Sequence, residues 1–233
     1  LCAELCAAKY GFTRELQDEF AAASYDRANA AIKSGAFAGE IVTVEIPSKK
    51  GPQLLATDEE PGRGDTAKMR TLRPAFDPKN GTITAGNASS INDGAAALVL
   101  ASADAVKKHG FTPLARIVSY GGAAQEPEWF TTAPIPAMQK ALARSGWKAS
   151  DVDLWEINEA FSVVTMAAMK DLALDHGKVN IRGGAASIGH PIGASGARIL
   201  VTLLHAMQDR NLKKGCASLC IGGGEALALT VER

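Results

Sequence analysis

The second half of the chain alternates strand-like with helix-like segments, and this alternation constrains the fold more than any other feature. The strand-like segments lie at 114–120, 153–157, 216–221 and 226–232, and the helix-like segments lie at 136–145, 159–174 and 195–210. Strands that alternate with helices indicate a sheet whose faces are covered by helices. We therefore predict a layered α/β domain in this half of the chain.

The first half begins with helices. Residues 1–37 have helical spacing, with Thr13 as the expected N-cap of a long helix and Gly35 as the residue that ends it. The face of this helix that we expect to pack inward is formed by Leu16, Phe20 and Ala23.

Residues 38–110 are less regular. An alternating segment at 40–47 predicts a strand, and the polar residues 48–80, rich in glycine and proline, predict a long surface excursion. The run of small and apolar residues at 81–102 predicts a strand buried on both faces. Ser102 and Gly110 are the expected ends of a short helix that follows.

Composition excludes several classes of protein. The 25 basic and 25 acidic residues give a net charge of zero, so no positive field is available to gather nucleic acid. No apolar run reaches the roughly 20 residues needed to span a bilayer. Four cysteines in two close pairs do not predict a secreted disulfide framework, which favours an intracellular protein.

Three polar or glycine-rich segments follow strands, where sites in such sheets are usually found. They are Asn158–Phe161, the histidine loop 183–198 and the segment 220–224, in which Cys220 precedes three glycines. Each segment also has an ordinary structural interpretation. Asn158 is a good helix N-cap, His190 resembles many loop histidines, and Cys220 resembles an inert core cysteine. A metal-dependent hydrolase using His190 is a weak alternative, since neither cysteine pair has a companion pair, and we predict no metal.

Taken together, the three segments resemble the C-terminal portion of the thiolase family. The matching residues are Asn158-Glu159-Ala160-Phe161, then Gly183-Gly184-Ala185 with Gly189-His190-Pro191 through Arg198, and Cys220 with Gly222-Gly223-Gly224. Residues 81–100 and the sequence LRPAF at 72–76 also resemble family segments. The resemblance implies the thiolase α/β fold, a mixed sheet covered by helices plus a lid/loop domain. The implied domains are a lid/loop domain at 1–91, the end of the N-terminal domain at 92–111 and the C-terminal βαβ-type domain at 112–233.

The resemblance also implies what the chain lacks. The family carries its nucleophilic cysteine in an N-terminal half, and no such motif is present in this sequence. Cys2 and Cys6 lie in a helical, alanine-rich context. We therefore expect the N-terminal half to be missing from this chain and to act as its partner.

The roles of individual residues are implied in the same way. Cys220 would be the acid/base at the carbon beside a thioester, and His190 would activate the absent nucleophile and donate to the enolate oxygen. Asn158 would position a water, and the Gly222 N–H would line an oxyanion hole. The residues expected to bind substrate are Ala88 and Ser89 along the pantetheine, Phe76 and Phe161 as apolar walls, and Arg63 at the phosphate.

The activity implied is that of an acyltransferase. It would catalyse the reversible condensation of acetyl-coenzyme A to acetoacetyl-coenzyme A, or thiolysis in the reverse direction. Coenzyme A is a substrate, no other cofactor is implied, and dependence on a monovalent cation stays open. The alternatives are a 3-ketoacyl-coenzyme A thiolase of broader chain length and a non-catalytic module that binds coenzyme A or acyl chains. The family implies a homodimer or homotetramer, in the cytoplasm or the mitochondrion.

Overall fold

The computed structural model describes residues 1–233, which form nine α-helices and six strands. The helices are α1 Cys2–Tyr10, α2 Arg14–Ser34, α3 Glu60–Arg63, α4 Thr66–Met69, α5 Ala103–His109, α6 Pro134–Ser145, α7 Ser162–Asp171, α8 Ala185–Ile188 and α9 Ser195–Asp209. The strands are β1 Val44–Ile46, β2 Gln53–Leu55, β3 Arg116–Ala124, β4 Leu154–Ile157, β5 Lys214–Ile221 and β6 Glu225–Glu232. None of the helices combines the length and the apolar character that crossing a bilayer requires.

The predicted alternation in the second half is confirmed, and it produces a mixed sheet. The four strands lie in the order β3-β6-β5-β4. The β3–β6 and β5–β6 pairs are antiparallel, and β4 runs parallel to β5. Because β4 and β5 are parallel, the segments that follow their C-terminal ends emerge at the same edge of the sheet.

Side-chain alternation divides the core between the two faces of this sheet. Trp155 and Cys216 pack with buried residues of α6 and α7, whereas Leu154 and Ala217 pack with α9. Successive side chains of a strand point to opposite faces, so α6 and α7 cover one face and α9 covers the other. Cys216 is fully buried, as expected for a structural cysteine.

The predicted ends of the long helix α2 are confirmed, but part of its predicted face is wrong. The Thr13 hydroxyl accepts a hydrogen bond from the Leu16 N–H, and Gly35 adopts a left-handed conformation after the last turn. Leu16 is 45% exposed, because the buried face is centred instead on Gln17, Phe20 and Ala21. The polar Gln17 is fully buried because its amide donates to the Phe12 carbonyl and the Thr82 hydroxyl.

The prediction of a buried strand at 81–102 is also wrong. This segment forms no strand in the structure, and Ile91, Val99 and Leu100 are 88%, 91% and 75% exposed. Apolar residues form a buried strand only where neighbouring strands and helices cover them, and nothing in residues 1–233 covers Ile91, Val99 and Leu100, although Ile83 is buried in the main core. The strand predicted at 40–47 is reduced to the three residues of β1, all exposed.

A buried group of charges connects β4 to α9. The Glu156 carboxylate is 2% exposed and lies 3.5 Å from the Arg198 guanidinium. Burial raises the pKa of Glu156 to about 8, although Arg198 acts in the opposite direction. Glu40 belongs to the same group, and burial raises its pKa to about 7.

The raised pKa of Glu156 predicts a specific pH dependence of stability. A carboxyl whose pKa is higher in the folded than in the unfolded protein stabilises the fold at low pH, and this contribution is lost as the pH rises through the folded value. We expect the melting temperature of the wild type to fall relative to that of Glu156→Gln between about pH 5 and pH 8.5. Thermal melts of both proteins across this range measure the effect, and parallel melting curves would contradict it.

Candidate active site

Asn158 lies at the C-terminal end of β4. Its main-chain N–H donates to the Ser218 carbonyl of β5 at 2.9 Å, which continues the parallel pairing by one residue, and its side chain is fully buried. Helix α7 begins only at Ser162, with Phe161 in the N-cap position. The alternative that Asn158 caps this helix is therefore wrong, and its amide is free to contact the histidine loop.

His190 lies in the loop between α8 and α9. Its main-chain N–H donates to the Ser90 carbonyl at 2.9 Å. Gly189 has φ of +98°, and a Cβ there would lie 2.2 Å from the Asn92 side-chain oxygen, so glycine is required before the histidine. The two ring nitrogens contact Ser195 Oγ at 2.6 Å from Nδ1 and Asn158 Nδ2 at 3.3 Å from Nε2.

These contacts assign the tautomer of His190. The Ser195 hydroxyl donates to the Pro191 carbonyl at 3.0 Å, so its oxygen accepts the hydrogen bond from His190 Nδ1–H. The proton is thus on Nδ1, and the lone pair of Nε2 accepts from the Asn158 amide. Burial, together with the nearby charge of Arg198, lowers the pKa of His190. His190 is therefore a neutral imidazole at neutral pH, with Nε2 able to accept a proton.

The Asn158 side chain has one polar atom without a hydrogen-bond partner. Its Nδ2 is used by His190, but the buried Oδ1 has no hydrogen-bond partner in the protein. A buried amide oxygen without a partner is costly, so such an atom usually faces a water or a ligand. Asn158 can therefore hold one polar group beside His190.

Cys220 lies near the end of β5, at the same edge of the sheet. Its side chain is 8% exposed and packs with Ala160 and Val164, against which Phe130 and Phe161 also pack. Burial raises the pKa of the Cys220 thiol to about 12, so the protonated thiol is the stable form at neutral pH. Cys220 thus packs against the Asn158–Phe161 turn, of which Asn158 is the first residue.

The three glycines after Cys220 form the turn between β5 and β6. Gly223 and Gly224 have φ of +92° and +94°, and a Cβ on Gly224 would lie 2.2 Å from the Gln125 carbonyl oxygen. Gly222 differs, because its φ is not positive; it is exposed, with open space where a Cβ would lie. The positive φ is therefore needed at the second and third glycines, whereas the first leaves its main chain accessible.

Ala88 and Ser89 lie against the Asn158–Phe161 turn. Ser89 donates to the Ala160 carbonyl through both its N–H, at 3.1 Å, and its hydroxyl, at 3.0 Å. Ala88 pairs with Phe161, and Ile91 pairs with His190. The segment 88–91 therefore connects two of the three predicted loops.

The other two predicted substrate residues lie further out. Arg63 on α3 is exposed and ion-paired with Glu59 at 2.9 Å and Glu60 at 3.3 Å. Glu60 connects α3 to the site, because it accepts from the Ser90 hydroxyl at 3.3 Å. Phe76 is 46% exposed and lies outside the apolar cluster around Cys220.

An open cleft of about 410 Å³ borders the histidine loop, between residues 92–96 and 191–194. None of His190, Asn158 and Cys220 lines it. The three predicted site residues therefore lie at the sheet edge and not in this cleft.

Two functional positions were missed by the reasoning from sequence. Ser195 determines the tautomer of His190, and Glu159 is buried beside Asn158 with three hydrogen-bond donors on its carboxylate. The Ser195 signal was a hydroxyl five residues after the histidine, at the start of the helix α9. The Glu159 signal was a charged residue between a buried strand and an apolar helix, a position where charge is kept only if it is paired.

Comparisons with known proteins identify the family. Residues 1–104 match the family model described as "Thiolase, N-terminal domain", and residues 111–233 match "Thiolase, C-terminal domain". The chain belongs to the thiolase family. The α/β thiolase fold with a mixed sheet is thereby confirmed, but the expectation that the N-terminal half is missing is not borne out, because the N-terminal domain model matches residues 1–104. The same finding overturns the prediction of a missing half as a partner.

Individual relatives agree with this assignment. Acetyl-CoA acetyltransferase of Thiocystis violacea is 55% identical over 99% of this chain and 59% of its own length. Acetyl-CoA acetyltransferase 2 of Arabidopsis thaliana is 53% identical over 99% of this chain and 58% of its own length. The crystal structure of the Bacillus anthracis acetyl-CoA acetyltransferase superposes with a TM-score of 0.95 at 44% identity, covering 99% of this chain and 59% of that one. The thiolase chain thus spans somewhat under two thirds of the relatives that it matches.

Proposed function

We propose that the protein is an acetyl-coenzyme A acetyltransferase and that this thiolase chain supplies its acid/base groups. The observation that carries the proposal is the contact between a neutral His190 and Asn158 at the sheet edge where Cys220 is buried. The names and 50–55% identity of the relatives support the same activity.

The central chemical problem is a proton on carbon. In thiolysis, the carbanion released when the carbon–carbon bond breaks must take up a proton, and in condensation the same proton must leave. Cys220 is the proposed donor and acceptor. Its raised pKa supports this role, because a less acidic thiol is closer in pKa to a carbon acid, and each pKa unit corresponds to about 1.4 kcal/mol.

The negative charge on the thioester oxygen needs fixed hydrogen-bond donors. His190 Nε2 is the proposed donor to the enolate oxygen once it has taken the proton of the nucleophilic thiol, and a water held by Asn158 Oδ1 is the second donor there. The Gly222 N–H is the proposed donor at the second thioester. The unpartnered Asn158 Oδ1 and the exposed main chain of Gly222 support these roles. Removing one such donor typically lowers kcat by roughly 10²–10³-fold.

Coenzyme A is the proposed substrate, without a resident metal or organic cofactor. Ala88 and Ser89 would contact the pantetheine, and Phe161 and Phe76 would form apolar walls. Arg63 would bind a phosphate only after leaving Glu59 and Glu60, so its role needs a change in the α3 surface. Self-association into a dimer or tetramer belongs to the same proposal.

None of the four cysteines in residues 1–233 is proposed as the acyl-accepting nucleophile. Cys6 and Cys216 are buried in the main core, Cys2 lies on α1, and Cys220 already has a role. The rival proposal is a module that binds coenzyme A without turnover, and it gains support only if no cysteine reaches His190.

The discriminating experiment is an assay of the complete gene product. We expect it to cleave acetoacetyl-coenzyme A with free coenzyme A, and to prefer this substrate to 3-ketoacyl-coenzyme A esters of longer chains. Equal or higher kcat/KM for long chains would favour the broader thiolase. Binding of coenzyme A by calorimetry without thiolysis would favour the non-catalytic module.

A further inference from the structure

The buried Glu159 has no role in the proton chemistry proposed above. It directly follows Asn158, and its side chain is 1% exposed. Its carboxylate accepts three hydrogen bonds, from the Ser24 hydroxyl at 2.7 Å, from Asn180 Nδ2 at 2.8 Å and from the Ala186 N–H at 3.2 Å. A buried carboxyl group with this many donors holds the elements that supply them in one arrangement.

The three donors come from three separate parts of the fold. Ser24 lies on α2, Asn180 precedes the histidine loop, and Ala186 lies in the first turn of α8, four residues before His190. Gly184 approaches so closely that a Cβ there would lie 2.3 Å from the Glu159 carboxyl carbon. Glu159 thus connects the residue after Asn158 to the segment that leads into His190.

The side-chain amide of Asn180 cannot be flipped without losing hydrogen bonds. Its Oδ1 accepts from the Ile157 N–H and its Nδ2 donates to the Ile157 carbonyl, both at 2.8 Å. The same Nδ2 donates to Glu159 Oε1. Because a flipped amide would break both contacts with Ile157, position 159 must present an acceptor to Asn180.

We propose that Glu159 is a positioning residue whose carboxylate sets the contact between Asn158 and His190. It joins the end of β4, which carries Asn158, to α8, which leads into the histidine loop, through the hydrogen bond that it accepts from the Ala186 N–H. The proposal rests on the function proposed above for its kinetic consequence. Its structural consequence, the 3.3 Å contact between Asn158 Nδ2 and His190 Nε2, does not depend on that function.

The test compares Glu159→Gln with Glu156→Gln in the complete protein. Both carboxyls are almost fully buried and lie three residues apart, but Glu156 is paired with Arg198 on α9 and accepts no hydrogen bond from α8 or from Asn180. A glutamine at 159 presents an N–H to Asn180 or to the donors opposite. We expect kcat for thiolysis to fall about 100-fold with KM for coenzyme A changed by less than about threefold, as for a misplacement near 1 Å. Glu156→Gln should change kcat by less than about threefold.

A milder variant and a direct structural measurement keep the test decisive if Glu159→Gln does not fold. Ser24→Ala removes one of the three donors and should lower kcat by about three- to tenfold while leaving the protein folded. Crystal structures of both variants should show a longer Asn158–His190 separation than in the wild type. An unchanged separation, or equal losses of kcat in Glu159→Gln and Glu156→Gln, overturns the proposal. If the wild type lacks thiolysis activity, the proposed function fails and the separation alone decides this inference.

Discussion

Replacing His190 with alanine should lower kcat for thiolysis of acetoacetyl-coenzyme A by about 10³–10⁴-fold, which is the largest single effect that we expect. The imidazole is proposed both to take the proton of the nucleophile and to stabilise the enolate, and general base catalysis alone contributes roughly 10²–10⁴-fold. Transfer of an acetyl group between acetyl-coenzyme A and labelled coenzyme A should fall with it, because that reaction also needs an activated nucleophile. Steady-state kinetics of both reactions measure the effect.

The control for this substitution is His205→Ala. His205 lies on α9, is half-buried, and has a pKa lowered mainly by burial, as His190 has, but it has no contact with Asn158. The His205→Ala variant should keep kcat within a few fold. Equal kcat for His190→Ala and His205→Ala would refute the assigned role.

In the wild type, the acid limb of the kcat/KM profile should lie below the ordinary histidine pKa of about 6.5.

Replacing Cys220 with alanine should separate the two reactions. We expect carbon–carbon cleavage to fall at least about 10³-fold, because no other group at this edge of the sheet is proposed to protonate the carbanion. Exchange of the acetyl group between coenzyme A molecules should persist at a reduced rate, since it forms no carbanion. The measurement is the ratio of thiolysis to acetyl exchange in the variant and the wild type.

Cys216→Ala is the matched control for Cys220→Ala. Both thiols are buried on the same strand and face, and burial raises the pKa of each to about 12. Cys216, however, packs in the main core and pairs with Trp155, three residues before Asn158. Its loss should lower stability by removing buried contacts and leave the ratio unchanged. A parallel loss of both activities in Cys220→Ala would argue against the proton role.

The local signals in the sequence predicted most of the fold. The caps of α2 and α5 at Thr13, Gly35, Ser102 and Gly110 were readable because side-chain chemistry and positive φ act within a few residues. The exposure of Val99 could not be predicted in this way, because an apolar residue is buried only if another element covers it. Leu16 failed for a similar reason, because hydrogen-bond partners let the polar Gln17 occupy the core instead.

The candidate site divides in the same way. Asn158 follows a strand, His190 follows Gly189 and Cys220 precedes a glycine turn, and the resemblance to the thiolase motifs was enough to single them out. Glu159 and Ser195 act through partners such as Asn180 and Pro191 that are distant in sequence or contribute main-chain atoms. Their roles therefore depend on hydrogen bonds that only coordinates reveal. The role of Arg63 depends on whether its exposed ion pairs break, which motif spacing does not address.

A crystal structure of the complete protein with bound acetyl-coenzyme A would test the central claim most directly. The account predicts the Cys220 sulfur within about 4 Å of the methyl carbon of the acetyl group, as proton transfer requires a reacting distance near 3–3.5 Å. It also predicts the thioester oxygen within hydrogen-bond reach of His190 Nε2 and of a water on Asn158. A substrate bound with the Cys220 sulfur facing away from that carbon would contradict the account.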